Sequence, residues 1–142
     1  MKARDWSGVL LPMAALVAPA AYATDYMNVA QAQSAGFPGA KRFVDATLKL
    51  NEEQRDRIKS LAGVRQRWDE QKVWRVERDD GEMGWLLIDQ VIGKHELITY
   101  ATAISPQGRV FGVEILTYLE THGGQIRDAS WRKNFTGKVL SD

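Results

Sequence analysis

Between residues 72 and 119 apolar and polar positions alternate closely enough to predict extended structure rather than helix. "KVWRVER" (72–78) puts Val73 and Arg75 on one face and Trp74 and Val76 on the other. The acidic turn "DDGEMG" (79–84) leads into "WLLIDQVI" (85–92), apolar enough for a buried strand. "ELITYATAI" (96–104) sets Ile98, Tyr100, Thr102 and Ile104 on one face, and "RVFGVEILTYL" (109–119) alternates through Phe111, Val113 and Ile115. Ser105-Pro106-Gln107-Gly108 between them follows the preferences of a type I turn, so 96–119 is the best hairpin in the chain.

The flanking segments carry helical signals instead. Asn28 is placed to cap a short helix over 28–35 with Gln31 at its third position, and "GFPGA" (36–40) stops it. Asn51 caps "EEQRDRIKSLA" (52–62), Gln54 completes a capping box, and Gly63 stands where a terminating glycine belongs. Ile58, Leu61 and Ala62 share one face of that helix, opposite Glu53, Arg57 and Lys59. Near the end, Asp128 can cap a short helix that carries Trp131 and Phe135 on one face and stops at Gly137. The prediction is an α+β domain: an antiparallel sheet of about four strands with short helices at its ends.

Residues 1–23 are set apart from this domain. Lys2 and Arg4 precede a small, apolar stretch that ends in Ala21-Tyr22-Ala23, the pattern of a cleaved secretory signal. The stretch is short and broken by Pro12 and Pro19, which disfavours a membrane span. An exported, periplasmic domain over 24–142 is the expectation. Removing Lys2, Arg4 and Asp5 leaves positive and negative side chains equal in number, which argues against nucleic acid as a partner. With no cysteine, disulfides do not stabilise the chain.

The loop "ETHGG" (120–124), between the last strand and the aromatic helix, has the composition of a ligand loop. Gly123 and Gly124 let backbone N–H groups approach a flat or anionic group closely. Glu120 and Thr121 offer a carboxylate and a hydroxyl to the polar edge of a heterocycle, and Trp131 and Phe135 offer apolar planes. On composition alone, a plain connection with both aromatics in the core is favoured about two to one, because Gly-Gly loops are common. His95 and His122 lack the spacing of metal ligands, so no metal is expected, and GxSxG, Walker and GxGxxG motifs are absent.

The segment "GRVFGVEILTYLETHGGQIRDASWRKNFTGK" (108–138) resembles the FMN-binding domain family. That family includes periplasmic flavin subunits of the Na⁺-pumping NADH:quinone oxidoreductase and of the related Rnf complexes. Gly108, Val110, Gly112, Val113, Ile115 and Leu116 match the family strand; Glu120, Thr121 and Gly123 match its E-T-x-G loop; Trp131, Phe135, Gly137 and Lys138 match its helix end. "GKHELITYATAI" (93–104) resembles the upstream strand and its leading loop, and the similarity spans about residues 80–138. The resemblance implies FMN as cofactor, held by Lys94, His95, Glu96, Glu120, Thr121, Gly123, Gly124, Trp131, Phe135 and Lys138. It implies a cleft between the 94–96 and 120–125 loops, with Thr121 and the 123–124 backbone bonding the ring and Glu120 fixing the loop. It also implies electron transfer with a membrane-associated or periplasmic redox partner rather than a free-standing enzyme.

Two departures qualify this. Gln125 stands where the family often has a second spaced glycine, and the S-G-A-T segment that handles the phosphate does not occur. Covalent attachment is therefore not implied, and the chain is expected to continue past Asp142 into such a segment. Two alternatives stay open: a non-redox module that keeps the fold without flavin, and an FMN-dependent reductase.

Overall fold

The computed structural model describes residues 24–142, and the predicted leader lies outside them. The architecture is α+β on one antiparallel sheet. Its strands are β1 (Thr24–Asp25), β2 (Arg42–Asp45), β3 (Leu48–Lys49), β4 (Glu70–Arg78), β5 (Gly81–Ile92), β6 (Leu97–Ile104) and β7 (Val110–Tyr118). The order is β1-β7-β6-β5-β4-β2, with β3 also pairing to β4. The four long strands are those the alternation predicts. The expectation of about four is corrected to seven because β1, β2 and β3 are too short to show a period.

Both capping boxes form. In α1 (Val29–Gly36) the Asn28 side chain accepts from the Gln31 N–H at 2.9 Å, and Gln31 returns the bond to the Asn28 N–H at 2.8 Å. In α2 (Glu52–Ala62) Asn51 and Gln54 do the same, and Gly63 closes the helix at φ 74°. The predicted cap at Asp128 does not form: its side chain makes no capping bond. There the helix is reduced to one turn, α3 (Ala129–Arg132), between 3-10 turns at Gly124–Arg127 and Lys133–Phe135. The helices also do not all sit at the sheet's ends, since α1 lies across β6 and β7.

Register separates the sheet's two faces. Trp74, Leu86 and Ala103 align across β4, β5 and β6, as do Lys72, Ile88 and Ala101. On this face Val76, Leu86, Ile88, Ala101 and Ala103 pack with Ala32 and Phe37 to make the core. Fully burying a side chain such as Leu86 or Val76 contributes roughly 1.5–3 kcal/mol. The opposite face presents Val73, Leu87, Asp89, Tyr100 and Thr102. Register shifts in β7, where Thr99 opposes Thr117 but Tyr100 opposes Ile115, leave Leu116 as an extra residue. Ile115 and Leu116 are thus both buried although adjacent, as a bulge allows.

Candidate functional site

The site forms where β7 ends and β5 turns into β6. Glu120, just past β7, aims its carboxylate at the Gly93–Glu96 bend. Its Oε1 accepts from the N–H of His95 at 2.5 Å and of Glu96 at 2.8 Å. Gly93 makes this approach possible, because a Cβ there would lie 2.5 Å from Glu120 Oε1. The Gly93 N–H closes the bend on the Glu96 carbonyl at 2.8 Å. Donation from Glu96 and His95 holds the Glu120 carboxyl below the usual range, with smaller help from the His95 charge.

That shift has a direction in pH. A carboxyl depressed in the folded state favours the closed latch above its ordinary pKa, and the advantage disappears as pH falls through the depressed value. The latch should therefore be closed throughout the neutral range and open only in acid. Glu120→Gln removes the charge but keeps one acceptor, so hydrogen exchange at the His95 and Glu96 amides should become faster and lose its acid dependence. Unchanged exchange at both amides would contradict the latch.

Beyond Glu120 the loop is held from beneath. The Tyr118 hydroxyl donates to the His122 carbonyl, and burial, with the Glu120 charge nearby, pushes that hydroxyl above its ordinary range, so it stays a donor. Gly123 adopts φ 80°, and a Cβ on it would lie 3.1 Å from Tyr118 Oη. Arg127 donates to the Gly124 carbonyl at 3.2 Å and to Tyr26 Oη at 2.6 Å. Its guanidinium lies over the rings of Tyr26 (5.2 Å) and Tyr118 (5.7 Å), an arrangement that favours the cation. The exposed Thr121 hydroxyl shares a 2.9 Å hydrogen bond with His122 Nδ1.

The ten expected site residues divide into groups. Lys94, His95, Glu96, Glu120, Thr121, Gly123 and Gly124 come together at the end of β7. His95 and Glu96 enter through their backbone N–H groups. Trp131 and Phe135 pair edge to face at 5.2 Å and remain about two-fifths exposed, so they are not core residues. Lys138 is elsewhere: its carbonyl accepts from the Val110 N–H at the opposite end of β7, roughly 26 Å along the strand. Sequence reasoning did not single out Gly93, Tyr118, Arg127 or Arg132. Gly93 was the most legible of these, being a glycine in a bend, but its partner Glu120 is far along the chain.

Arg132 fastens the C-terminal turns to the sheet. It meets Glu114 of β7 at 3.1 Å, and it also donates to the Arg127 carbonyl. Both side chains border a cavity of about 230 Å³ whose other walls include Ala32, Gly36, Ala103 and Gly112.

The loop leaves several polar groups unengaged. The N–H groups of Gly123 and Gly124 donate to no protein acceptor among the described residues, and the Thr121 hydroxyl faces solvent. Such groups can meet the carbonyl and nitrogen atoms of a planar heterocycle. No group of three or more acidic or histidine side chains gathers to hold a metal among the described residues. In comparisons with known families, with curated proteins and with solved structures, the chain matches nothing.

Proposed function

We propose that residues 24–142 form an exported FMN-binding domain that passes electrons to a membrane-associated or periplasmic redox protein. The observation that carries this reading is the Glu120 latch, which joins the 93–96 and 120–124 segments through two backbone donors. They overlap the 94–96 and 120–125 loops between which the resemblance implies a flavin cleft. Thr121 and the 123–124 backbone would bond the ring's polar edge, while Lys94 supplies positive charge beside them. Bound FMN would supply the redox chemistry, and the protein would orient it and tune its electronics. Exposed Trp131 and Phe135 suit contact with a partner more than closure of a substrate chamber.

The experiment is an FMN titration followed by fluorescence quenching. Thr121→Val keeps the shape, deletes one hydroxyl, and should weaken binding by about 0.5–1.5 kcal/mol with the thermal midpoint unchanged. Gly123→Val is a less specific probe, because its positive φ and the nearby Tyr118 hydroxyl oppose a side chain even in the free protein. If the wild-type chain neither quenches the flavin nor purifies with a flavin absorption band, the non-redox alternative stands instead.

A further inference from the structure

A second cavity, of about 440 Å³, opens on the sheet face opposite α1. Its roof is the end of α2 and the segment after it (Ile58, Ala62, Val64), and its floor is Asp89, Val91 and Tyr100. The volume falls within the roughly 300–1,000 Å³ typical of small-molecule sites. Ile92 on its wall adjoins the Gly93–Glu96 bend, but none of its lining residues belongs to the Glu120 latch or to the flavin reading.

The floor contains a carboxylate without a counter-charge. Asp89 is half-buried and belongs to no ion pair among the described residues. The charged groups around it are engaged elsewhere or lie in solvent. Arg65 is held by Glu52 at 2.9 Å and Asp56 at 4.0 Å, Arg55 reaches the Gln66 carbonyl and Glu52, and Arg67 is exposed at the rim. Across the strand pair stands Tyr100, directly opposite Asp89.

Asp89 Oδ1 accepts from the Gln90 N–H at 2.7 Å, and two amides, Gln66 and Gln71, run on from the carboxylate. Gln71 donates to the Ile88 carbonyl at 3.0 Å and accepts from Gln66, so the Gln66 oxygen is left facing Asp89 at 3.1 and 3.2 Å. Turning the Gln66 amide satisfies Asp89 but sets its oxygen against the Gln71 oxygen. Turning Gln71 as well would set its oxygen against the Ile88 carbonyl. With both ends acceptors, the two amides alone do not give every oxygen along this row a donor, and the Gln90 N–H reaches only Asp89 Oδ1. Gln66 is buried, so water does not readily relieve the conflict. Burial, the largest influence on Asp89, also pushes its carboxyl above the ordinary range, and burial with the Asp89 charge raises the Tyr100 hydroxyl.

The geometry points to this cavity as a binding site for a small organic cation: an ammonium group bonded to Asp89, with an apolar body against Tyr100, Val91 and Ile58. The cation would supply the missing charge and donor, and the Tyr100 ring would add a cation–π contact.

Benzylammonium is the probe, titrated into the full chain at pH 7.5 and followed by chemical-shift changes in the Tyr100 and Val91 resonances. We expect saturable shifts, binding at least tenfold weaker for the neutral isostere benzyl alcohol, and no saturation with benzoate. Asp89→Asn is the decisive variant. Its amide can donate to the Gln66 oxygen and complete the chain, so the variant should fold with an equal or higher thermal midpoint yet lose benzylammonium binding at least tenfold. Tyr100→Leu, which keeps the apolar wall, should retain weakened saturable binding. Equal affinity for benzyl alcohol, tighter binding of benzoate through Arg65 and Arg67, or unchanged affinity in Asp89→Asn would each overturn the proposal, as would failure of the wild-type protein to saturate.

Discussion

Replacing Gly84 with alanine is expected to cost about 3–5 kcal/mol, through overpacking added to backbone strain. Gly84 lies inside β5 at φ 144°, a conformation L side chains rarely adopt. A Cβ built on it would sit 2.0 Å from the Ile104 carbonyl oxygen of β6 and 3.2 Å from Phe37. The first contact is with backbone, so relief requires β5 and β6 to separate at the pair that carries the core. Gly81 separates the two causes. It has φ 138°, but a Cβ there would meet nothing within 4 Å, so Gly81→Ala should cost only the strain, about 1–2 kcal/mol. Urea unfolding of both variants tests this, and equal midpoints would show that the clash at Gly84 is relieved cheaply.

Arg132→Ala is expected to destabilise by about 2 kcal/mol, below the roughly 3–5 kcal/mol found for fully buried pairs because this one retains some solvent. The Arg132 and Glu114 side chains are 16% and 26% exposed, so removing the guanidinium leaves a mostly buried carboxylate unpaired. The double variant Arg132→Ala with Glu114→Gln should recover part of the loss, since no charge is then stranded. The variant also frees the turns that carry Trp131 and Phe135, so amides over 124–136 should exchange faster than those in β5. A uniform loss across the sheet would mean that the pair supports the whole fold rather than this attachment.

The elements legible in the sequence were those with local chemistry. Asn28–Gln31 and Asn51–Gln54 announce helix starts because donor and acceptor lie three residues apart. The long strands announce themselves by alternation. Strands β1 to β3 do not, since four residues or fewer carry no period and their pairing is decided by distant partners. The Asp128 cap failed because a single turn between two 3-10 turns offers its side chain little of the usual geometry. At the candidate site, Glu120, Thr121 and the glycines were legible as a loop. The partners that organise it were not: Glu120 meets amides some 25 residues upstream, and Arg127 reaches Tyr26 across 101 positions. The Lys138 match belongs to the far end of β7 because the turns after Asp128 run back along that strand.

The placement of β1 and α1 against β7 has a consequence for the order in which the molecule can assemble. Thr24 pairs with Tyr118, and α1 rests on β6 and β7, so the first described residues find their partners only when nearly the whole domain is present. An N-terminal helix of eight residues is too short to persist alone in water. While the chain emerges, β4 to β6 can zip through short connections, whereas residues 24–37 wait for the last long strand. Closing so large a loop belongs to the slow, topology-limited part of folding. Ala32 and Phe37, once seated against Leu86 and Ala103, complete the core late, after the long strands have paired.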